Sequence, residues 1–398
     1  MGFLNILNIR ETSFSPKLPG AICREAAVCA DESKKEKAGG QNRSPSGFWY
    51  GSAQGLRLEK ELLFENEWMA LTPTDAILDA KFGGEFERDG QPVHLRRDPE
   101  SGALTALSLV CRHRGATVQP RALGKGLCFV CPYHGWTYGD DGSRLFCPEW
   151  PAAAAEGQPG LQGWDCQEWA GFAWLKKRPS GVAAAPQTRL PPGPWNVPPG
   201  RPEEFDLNGL QWHGTWWDEL ACDWKVFVDN YLDGGYHLGP VHPELSGALD
   251  GSAYRTEVAD RAVLQWAPSA TNKAEGMAEV RSGSEARYWW IWPNFFWNHY
   301  GDCLDTNVVY PAGPGKCRVR FDFFFSGFGR FASQAQRTKS IEAAKLIQEQ
   351  DRQVCESVQR GMESGDYQGG PYHPIKEIGM RRFHQLWREA LGLPGDES

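Results

Sequence analysis

The sequence predicts an α+β protein in which an all-β domain is followed by a mixed domain of helices and strands. Between about residues 49 and 179, short β-like runs alternate with turns. A proline-rich stretch follows, which is typical of an interdomain linker. Beyond it, helical and strand patterns are mixed, and a chain of 398 residues is long enough for two or three domains. We therefore predict folded domains at 46–180 and 204–398, joined by a linker at 181–203.

Composition and charge exclude several classes of protein. The chain carries 42 Lys and Arg against 50 Asp and Glu, a net charge of −8, which argues against a nucleic-acid-binding surface. It contains no apolar run of the roughly 18 residues that a membrane helix needs, so no membrane association is expected. Its 11 cysteines, an odd number spread along the chain, argue against a secreted disulfide scaffold. The odd count agrees better with cysteines that are free to bind metal, in a protein of the cytoplasm or the stroma, than with a set of disulfides.

The first 45 residues form a separate segment. They show no sustained hydrophobic periodicity, and residues 31–40 are a charged tract that contains glycine, a composition typical of disorder. The segment is mildly basic, but transit peptides are usually richer in Arg and Ser and poorer in acidic residues. It also lacks the apolar core of a secretory signal. A disordered tail and a transit peptide both remain open.

The predicted elements follow from hydrophobic periodicity and turn residues. In the first domain, β-like runs lie at 107–110, 127–130 and 171–175. The tetrad Gly-Asp-Asp-Gly at 139–142 predicts a tight hairpin. In the second domain, we predict a helix near 223–238, strands within 286–325 and a long helix at about 337–363.

A mixed Cys and His pattern is the strongest chemical signal in the sequence. Cys111-x-His113 is followed, after 17 intervening residues, by Cys131-x-x-His134. Zinc fingers normally group Cys with Cys and His with His. The alternation instead favours a [2Fe–2S] cluster with two Cys on one iron and two His on the other. A structural zinc site is the alternative.

His237 and His242 are candidates for a second metal site. On the predicted helix, Asn230, Asp233 and His237 share one face, and the apolar residues lie on the opposite side. A continuous helix would point the two His in different directions. Gly239-Pro240 would break the helix between them, so that His242 could turn back to the same metal.

Asp351 on the long helix is the candidate third ligand. It falls within an apolar stripe, whereas Glu349 and Glu356 point away from it. A buried carboxylate must be paired or metal-bound. Two His and one carboxylate make the facial triad of Fe(II) oxygenases, which leaves positions open for O2 and substrate. A buried salt-bridge partner is the alternative. The predicted stripe consists of Ala344, Ile347, Val354, Val358 and Met362.

These motifs together resemble a known family. The pattern Cys-x-His-x17-Cys-x-x-His, followed by Asn-x6-His-x4-His, resembles the oxygenase component of Rieske-type non-haem iron oxygenases from about Trp49 to the C terminus. Within the family, the chain resembles the branch of plant enzymes that hydroxylate choline, on the evidence of residues 229–237, 300–301 with 304–307, and 355–364. The resemblance implies a β-rich Rieske [2Fe–2S] domain and a helix-grip catalytic domain, an antiparallel sheet wrapped on a long helix.

The resemblance also implies roles and partners. Many family members place an acid that bridges the two metal sites three residues before the first iron-binding His, but that position here is Gly234. Asp233 is the implied bridge, with Asp229 as the second choice, and Asn230 is the other candidate catalytic residue. Reduced ferredoxin would supply electrons for O2 activation at mononuclear Fe(II), in the chloroplast stroma. The implied assembly is a ring-like trimer, in which the cluster of one subunit faces the iron of its neighbour.

An aromatic run at 288–297 is the candidate substrate contact. Aromatic rings bind quaternary ammonium groups such as that of choline through cation–π interactions. Alternate side chains of a strand face one side, so only about half of the run can line a pocket. For each residue, a place in the sheet core is the alternative. The candidates are Trp290, Trp292, Phe295 and Trp297.

Three other functions remain open at this point. The same scaffold could demethylate or hydroxylate another quaternary amine or an aromatic substrate. The chain could instead be a Rieske electron carrier whose second domain only docks a partner. It could also be a binding module stabilised by zinc.

Overall fold

The computed structural model describes residues 43–77, 82–98, 100–124, 126–178, 205–207, 209–243, 247–270 and 284–393. Most of the predicted tail or transit peptide at 1–45 and all of the predicted linker at 181–203 lie outside these residues. Within the described ranges, no helix has the length and apolar character needed to cross a bilayer.

The N-terminal part of the described chain is helical. Helices α1 (Phe48–Gly51) and α2 (Ala53–Leu58) lead into a π-helical turn, Glu59–Phe64. The side chain of Trp49 packs edge-on against Trp387, with ring centroids 5.2 Å apart. This segment, which the sequence analysis placed in the first domain, therefore packs against the C-terminal part of the chain.

The first domain is built from two antiparallel sheets, as the all-β prediction required. The six-stranded sheet has the order β1-β10-β9-β4-β3-β2. Its strands are β1 (Met69–Pro73), β2 (Gly84–Arg88), β3 (Gln91–Arg97), β4 (Leu104–Ser108), β9 (Gly163–Trp169) and β10 (Phe172–Lys177). The smaller sheet consists of β5 (Gln119–Leu123), β6 (Gly126–Val130), β7 (Thr137–Gly139) and β8 (Arg144–Phe146), and the short helix α3 (Ala152–Ala155) follows it. The predicted hairpin at 139–142 is confirmed, because it joins β7 to β8.

The second domain is a seven-stranded antiparallel sheet combined with helices. The strand order is β11-β17-β16-β15-β14-β13-β12. The strands are β11 (Leu210–Leu220), β12 (Arg255–Val258), β13 (Ala262–Pro268), β14 (Glu285–Ile291), β15 (Phe295–His299), β16 (Cys303–Gly313) and β17 (Lys316–Ser326). The helices are α4 (Trp224–Tyr231), α5 (Leu238–Val241), α6 (Gln334–Glu363) and α7 (Ile378–Ala390). A sheet packed on the long helix α6 confirms the predicted α+β, helix-grip class.

Helix α4 is shorter than the predicted helix near 223–238. Asp223 caps it, since its side chain accepts a hydrogen bond from the Lys225 amide at 2.9 Å. The helix ends at Tyr231, and Gly234 and Gly235 then adopt φ values of 67° and 70°. Left-handed glycines, which have no Cβ, then keep the chain from continuing as a helix.

The long helix α6 buries only part of the predicted stripe. Ala344 and Met362 are buried as predicted, whereas Val354 is only partly buried and Val358 is 39% exposed. The prediction fails at these positions because polar side chains take part in the packing. Asp351 still faces inward, half-buried, between turns of the observed stripe: Ser340, Ala344, Gln348, Cys355, Gln359 and Met362.

Candidate active site

Cys111 and Cys131 begin two loops with the same backbone pattern. In each loop, the Cys amide donates to the carbonyl five residues later, at 2.9 and 2.8 Å. Its carbonyl accepts from Gly115 or Gly135, four residues later, at 3.0 Å in both. These glycines have φ values of 74° and 70°, which let the backbone turn sharply. The loops therefore present their Cys and His side chains in equivalent ways.

The four candidate cluster ligands divide into an inner and an outer pair. The thiols of Cys111 and Cys131 are buried. The rings of His113 and His134 lie nearer the surface, with centroids 4.7 Å apart. Trp136 stacks on His113 with an interplanar angle of 6°. Two buried sulfurs and two outer imidazoles suit a cluster whose inner iron binds Cys and whose outer iron binds His.

The geometry fits a single zinc ion less well. One tetrahedral zinc would draw the four ligand atoms to within about 4 Å of one another. In the part of the chain that the structure describes, the only set of three or more His, Cys, Asp or Glu ligand atoms within 4.8 Å of one another lies elsewhere, in the second domain. The ligand atoms of the two loops are therefore farther apart than one zinc ion would hold them, which suits a larger group such as a two-iron cluster.

Tyr138 lies against the same site. Its hydroxyl is 3.3 Å from the Cys111 Sγ and accepts a hydrogen bond from the Arg112 amide at 3.1 Å. Burial raises the pKa of Tyr138, and the hydrogen bond to Cys111 raises it further. The hydroxyl therefore remains protonated and can donate to a thiolate, an interaction that tunes iron–sulfur potentials.

The second candidate site is built around the short helix α5. His237 precedes α5 and His242 follows it, and the Val241 amide donates to the His237 carbonyl at 2.9 Å. The prediction that Gly239-Pro240 breaks the helix is wrong, since both residues lie inside α5. Pro is tolerated there because the first turn of a helix leaves its N–H groups without helical partners. The break comes earlier, after Tyr231, in the segment that contains Gly234 and Gly235.

His237, His242 and Asp351 form the set of ligand atoms within 4.8 Å. The Asp351 Oδ1 lies 2.9 Å from the His242 Nε2 and 3.7 Å from the His237 Nε2. Both imidazoles thus turn the same ring nitrogen toward one carboxylate. The three residues could hold a metal ion on one face and leave the other face open.

Asp233 supports the first of these histidines. Its Oδ2 accepts from the His237 Nδ1 at 2.7 Å and from the His237 amide at 2.9 Å. Its Oδ1 accepts from the Tyr236 amide at 3.1 Å. A proton held on Nδ1 leaves the lone pair of Nε2 for a metal.

Gln350 and Asn230 support the other two candidate ligands. The Gln350 Oε1 accepts from the His242 Nδ1 at 2.6 Å, and the Asn230 Nδ2 donates to the Asp351 Oδ1 at 2.9 Å. Burial lowers the pKa of His242, but the hydrogen bond and charge of Asp351 outweigh this effect and raise it overall. Sequence reasoning missed Gln350, whose only signal was its position next to Asp351.

The three candidate ligands open into a cavity of about 120 Å³. Among the described residues that line it, none is Lys or Arg. Polar lining residues are Asn230, Gln265, Asn298, Asp305, Asn307 and Gln348. Aromatic lining residues are Phe227, Tyr231, Tyr254, Tyr288, Tyr300 and Phe321.

Comparison with known proteins identifies the family. Residues 67–159 match the Rieske [2Fe–2S] domain, and residues 207–393 match the catalytic domain of the ring hydroxylating alpha subunit. The chloroplastic choline monooxygenase of Arabidopsis thaliana is 32% identical over 381 residues, which cover 88% of this chain and 83% of the relative. The chain belongs to the Rieske-type non-haem iron oxygenases. The carnitine monooxygenase oxygenase subunit of Escherichia coli K12 is 24% identical, with 86% and 92% of the two chains covered.

Solved structures of this family share the fold. A quaternary ammonium Rieske monooxygenase in complex with L-carnitine superposes with a TM-score of 0.68 and 22% identity, and covers 87% of this chain and 95% of its own. Naphthalene 1,2-dioxygenase from Rhodococcus, bound to indole, gives a TM-score of 0.64 and 17% identity, with 87% and 94% covered. The protein is therefore a Rieske non-haem iron monooxygenase whose cofactors are a Rieske [2Fe–2S] cluster and a mononuclear iron.

The predicted substrate contacts do not line the cavity. Trp290, Trp292, Phe295 and Trp297 are all buried and absent from the lining. Trp290 packs on Phe383 of α7 at 5.5 Å. Phe295 packs on Trp174 of the first domain at 5.0 Å, and Trp297 on Phe205 at 5.6 Å. These four residues therefore belong to the core of the sheet, which was the alternative to a place in the pocket. Within the predicted run 288–297, only Tyr288 lines the cavity.

Gly234 explains why the acid found in many family members cannot occupy its usual position here. Its φ is 67°, and a Cβ at this residue would collide with the backbone carbonyl of Lys376. Asp233, one residue earlier, stays the predicted bridge between the two metal sites. An aspartate at 234 would combine a strained backbone with a clash.

We expect Gly234→Asp to lower the free energy of unfolding by about 2 kcal/mol or more, because both the backbone strain and the clash must be relieved. The loop would also shift, so activity should fall. Thermal unfolding and turnover measure the two effects. The matched control is Gly239→Ala, whose Cβ would meet nothing within 4 Å and which lies in a helix. Equal stability of the two variants would contradict this explanation.

Proposed function

We propose that the protein hydroxylates the carbinol carbon of choline and so forms the hydrate of betaine aldehyde. One atom of O2 enters the C–H bond and the other becomes water. The balance requires two electrons, supplied by a reduced ferredoxin-type carrier, and two protons. Membership of the family does not by itself specify choline as the substrate, so this choice is part of the proposal.

The observation that carries the proposal is the character of the cavity beside the candidate iron ligands. Its lining is aromatic and polar, and none of the described lining residues is Lys or Arg. Aromatic rings favour a quaternary ammonium group. A substrate with a carboxylate, such as carnitine, would find no cationic side chain among them. The identity with plant choline monooxygenases supports the same substrate.

The side chains around the iron site have separate tasks. We assign His237, His242 and Asp351 as the ligands of Fe(II), which supplies O2 activation when bound. Asp233 and Gln350 hold the Nδ1 protons of the two histidines, so that each Nε2 stays available. Asn230 fixes the orientation of the Asp351 carboxylate. The aromatic walls keep bulk water away from the reacting carbon.

The proposed entry point for electrons is the pair of loops in the first domain. We assign Cys111, His113, Cys131 and His134 as the cluster ligands. The outer imidazoles, His134 or His113, would face Asp233 of a neighbouring subunit, and Asp233 contacts His237 directly. Electron transfer would then cross a subunit interface through hydrogen-bonded groups.

Exposed apolar side chains near both ends of this route support a homo-oligomer, for which we propose a ring-like trimer. Beside the cluster loops, Tyr133 is 61% exposed and Trp150 is also exposed. Next to His237, Tyr236 is 56% exposed, and its ring contacts that of His373. The amide of Ile375, a residue 76% exposed, donates to the same His373 ring. Contiguous exposed apolar patches, unlike single exposed apolar residues, often mark a contact with another protein.

The proposed compartment is the chloroplast stroma, with the cytoplasm as the alternative. The support is that several plant relatives are named chloroplastic choline monooxygenases. Residues 1–42, where a transit peptide would lie, are outside the described residues. Reduced ferredoxin is available in the stroma, which agrees with the proposed electron donor.

Deuterated choline tests the reaction directly. The holoprotein, reduced with ferredoxin and exposed to O2, is given choline carrying two deuterium atoms on the carbinol carbon. We expect betaine aldehyde that has lost one deuterium, detected by mass spectrometry, and no comparable consumption of carnitine. N-demethylation would instead release formaldehyde and keep both deuterium atoms. That result, or turnover of an aromatic substrate only, would replace the choline proposal with its alternatives.

A further inference from the structure

Five of the described residues that line the cavity beside the candidate iron ligands carry a side-chain amide. The NH2 groups of four of them donate hydrogen bonds to protein oxygens, at distances from 2.6 to 3.3 Å. These four are Asn230, Gln265, Asn298 and Gln348. The fifth is Asn307 of β16, whose oxygen accepts a hydrogen bond but whose NH2 group donates none to the residues that the structure describes.

Hydrogen bonds from two neighbouring side chains fix the orientation of the Asn307 amide. The Tyr231 hydroxyl lies 2.6 Å from the Asn298 Oδ1, a distance typical of an O–H···O bond and short for an N–H···O bond. Burial raises the pKa of Tyr231, so the hydroxyl keeps its proton and donates it. The Asn298 Nδ2 then donates to the Asn307 Oδ1 at 2.7 Å. The Asn307 oxygen therefore accepts from within the protein, and its NH2 group is left for the cavity.

The neighbours of Asn307 across the sheet are aromatic. The strand register places it opposite Phe296 of β15 and Phe321 of β17, and directly paired residues share one face of a sheet. Phe321 also lines the cavity. Asn307 itself is only 5% exposed. A buried NH2 group without an acceptor is costly, so an acceptor atom is expected on the molecule that fills the cavity.

The proposed substrate offers one such atom. The quaternary nitrogen of choline has no lone pair and its methyl groups accept no hydrogen bonds, so its hydroxyl oxygen is the acceptor. We propose that the Asn307 NH2 group donates to the hydroxyl oxygen of the substrate and so selects quaternary amines that carry an alcohol. This inference rests on the proposed function for the choice of choline. The bound oxygen is attached to the carbon that would be hydroxylated, so the same hydrogen bond positions the reacting carbon.

The inference predicts a preference that charge and size alone cannot produce. Trimethyl(propyl)ammonium has the charge and shape of choline, with a methyl group in place of the hydroxyl. Isothermal titration calorimetry measures the binding of both compounds to the oxidised holoprotein, without a reductant, so that no turnover occurs. We expect choline to bind about 10-fold more tightly, because the analogue leaves the Asn307 NH2 group desolvated and without a partner.

The variant Asn307→Leu keeps the approximate size of the side chain and removes its donor. We expect choline to bind about 10-fold more weakly to it and the analogue to bind at least as tightly as before, so that the preference disappears. The matched control is Asn66→Leu, the same change at an exposed asparagine, for which both affinities should stay unchanged. Retained binding of the analogue also shows that Asn307→Leu is folded.

Two results would overturn the inference. One is an Asn307→Leu variant that keeps the full preference for choline over the analogue. The other is an unsubstituted holoprotein that binds both compounds equally or binds neither, a measurement that does not depend on the folding of any variant. Failure of the proposed reaction gives a different result. A preference that is lost in Asn307→Leu, without formation of betaine aldehyde from choline, would contradict the reaction and leave the role of Asn307 intact.

Discussion

Replacing Asp351 with alanine is expected to remove iron from the catalytic domain and to reduce hydroxylation by more than about 100-fold, because disrupting even the supporting partners of a metal ligand costs up to that much. The substitution leaves His237 and His242 without the carboxylate that lies between them. Metal analysis should show one iron atom fewer per chain, and the absorption of the cluster should be unchanged.

The control for this prediction is on the same helix. Glu349 is an acid that faces solvent, with a side chain 54% exposed, and it pairs with Arg352. Glu349→Ala should therefore keep both iron and activity. An Asp351→Ala variant with full iron content and full turnover would show that the mononuclear site lies elsewhere.

Replacing Lys225 with methionine is expected to lower the free energy of unfolding by about 3–5 kcal/mol, the usual cost of leaving buried charges without their partner. The Lys225 Nζ lies 2.6 Å from the Glu59 Oε1 and 2.7 Å from the Asp223 Oδ1, and all three side chains are buried. This cluster joins the N-terminal helical segment to α4. Chemical denaturation with urea measures the loss.

The destabilisation should depend on pH. Burial already raises the pKa of Asp223 to about 7, even though Lys225 acts to lower it. Without Lys225, the folded state holds a proton on Asp223 that the unfolded state releases, so stability should fall as pH rises from about 5 to 8. Adding Glu59→Gln should recover part of the loss. The control is Lys177→Met, at a partly exposed pair with Glu65, which should cost no more than about 1 kcal/mol.

The two loops that carry the candidate cluster ligands could be found from the sequence because each half of the site is local. Cys111 and His113, like Cys131 and His134, belong to one short loop, so their spacing in sequence describes their spacing in space. His237 and His242 are similarly close along the chain. Asp351 was predictable on one face of a long helix, although the stripe used to find it included Val358, which is exposed.

The other features of the fold and the site depend on contacts between residues that are far apart in the sequence, which local sequence patterns do not describe. Gly234 and Gly235 could have signalled the end of α4, but the apolar period continues past them. The aromatic run failed as a set of substrate contacts because Phe383, from a helix almost a hundred residues later, covers Trp290. Gln350 becomes visible only when the rotation of the helix is known.

The measurement that tests the account most directly is the count of iron and acid-labile sulfide in the purified holoprotein. A Rieske cluster plus a separate mononuclear site requires three iron atoms and two sulfides per chain. Asp351→Ala should retain two irons and both sulfides. Two irons in the unsubstituted holoprotein, with no loss on replacing Asp351, would mean that His237, His242 and Asp351 bind no iron and that the second domain is not an oxygenase site.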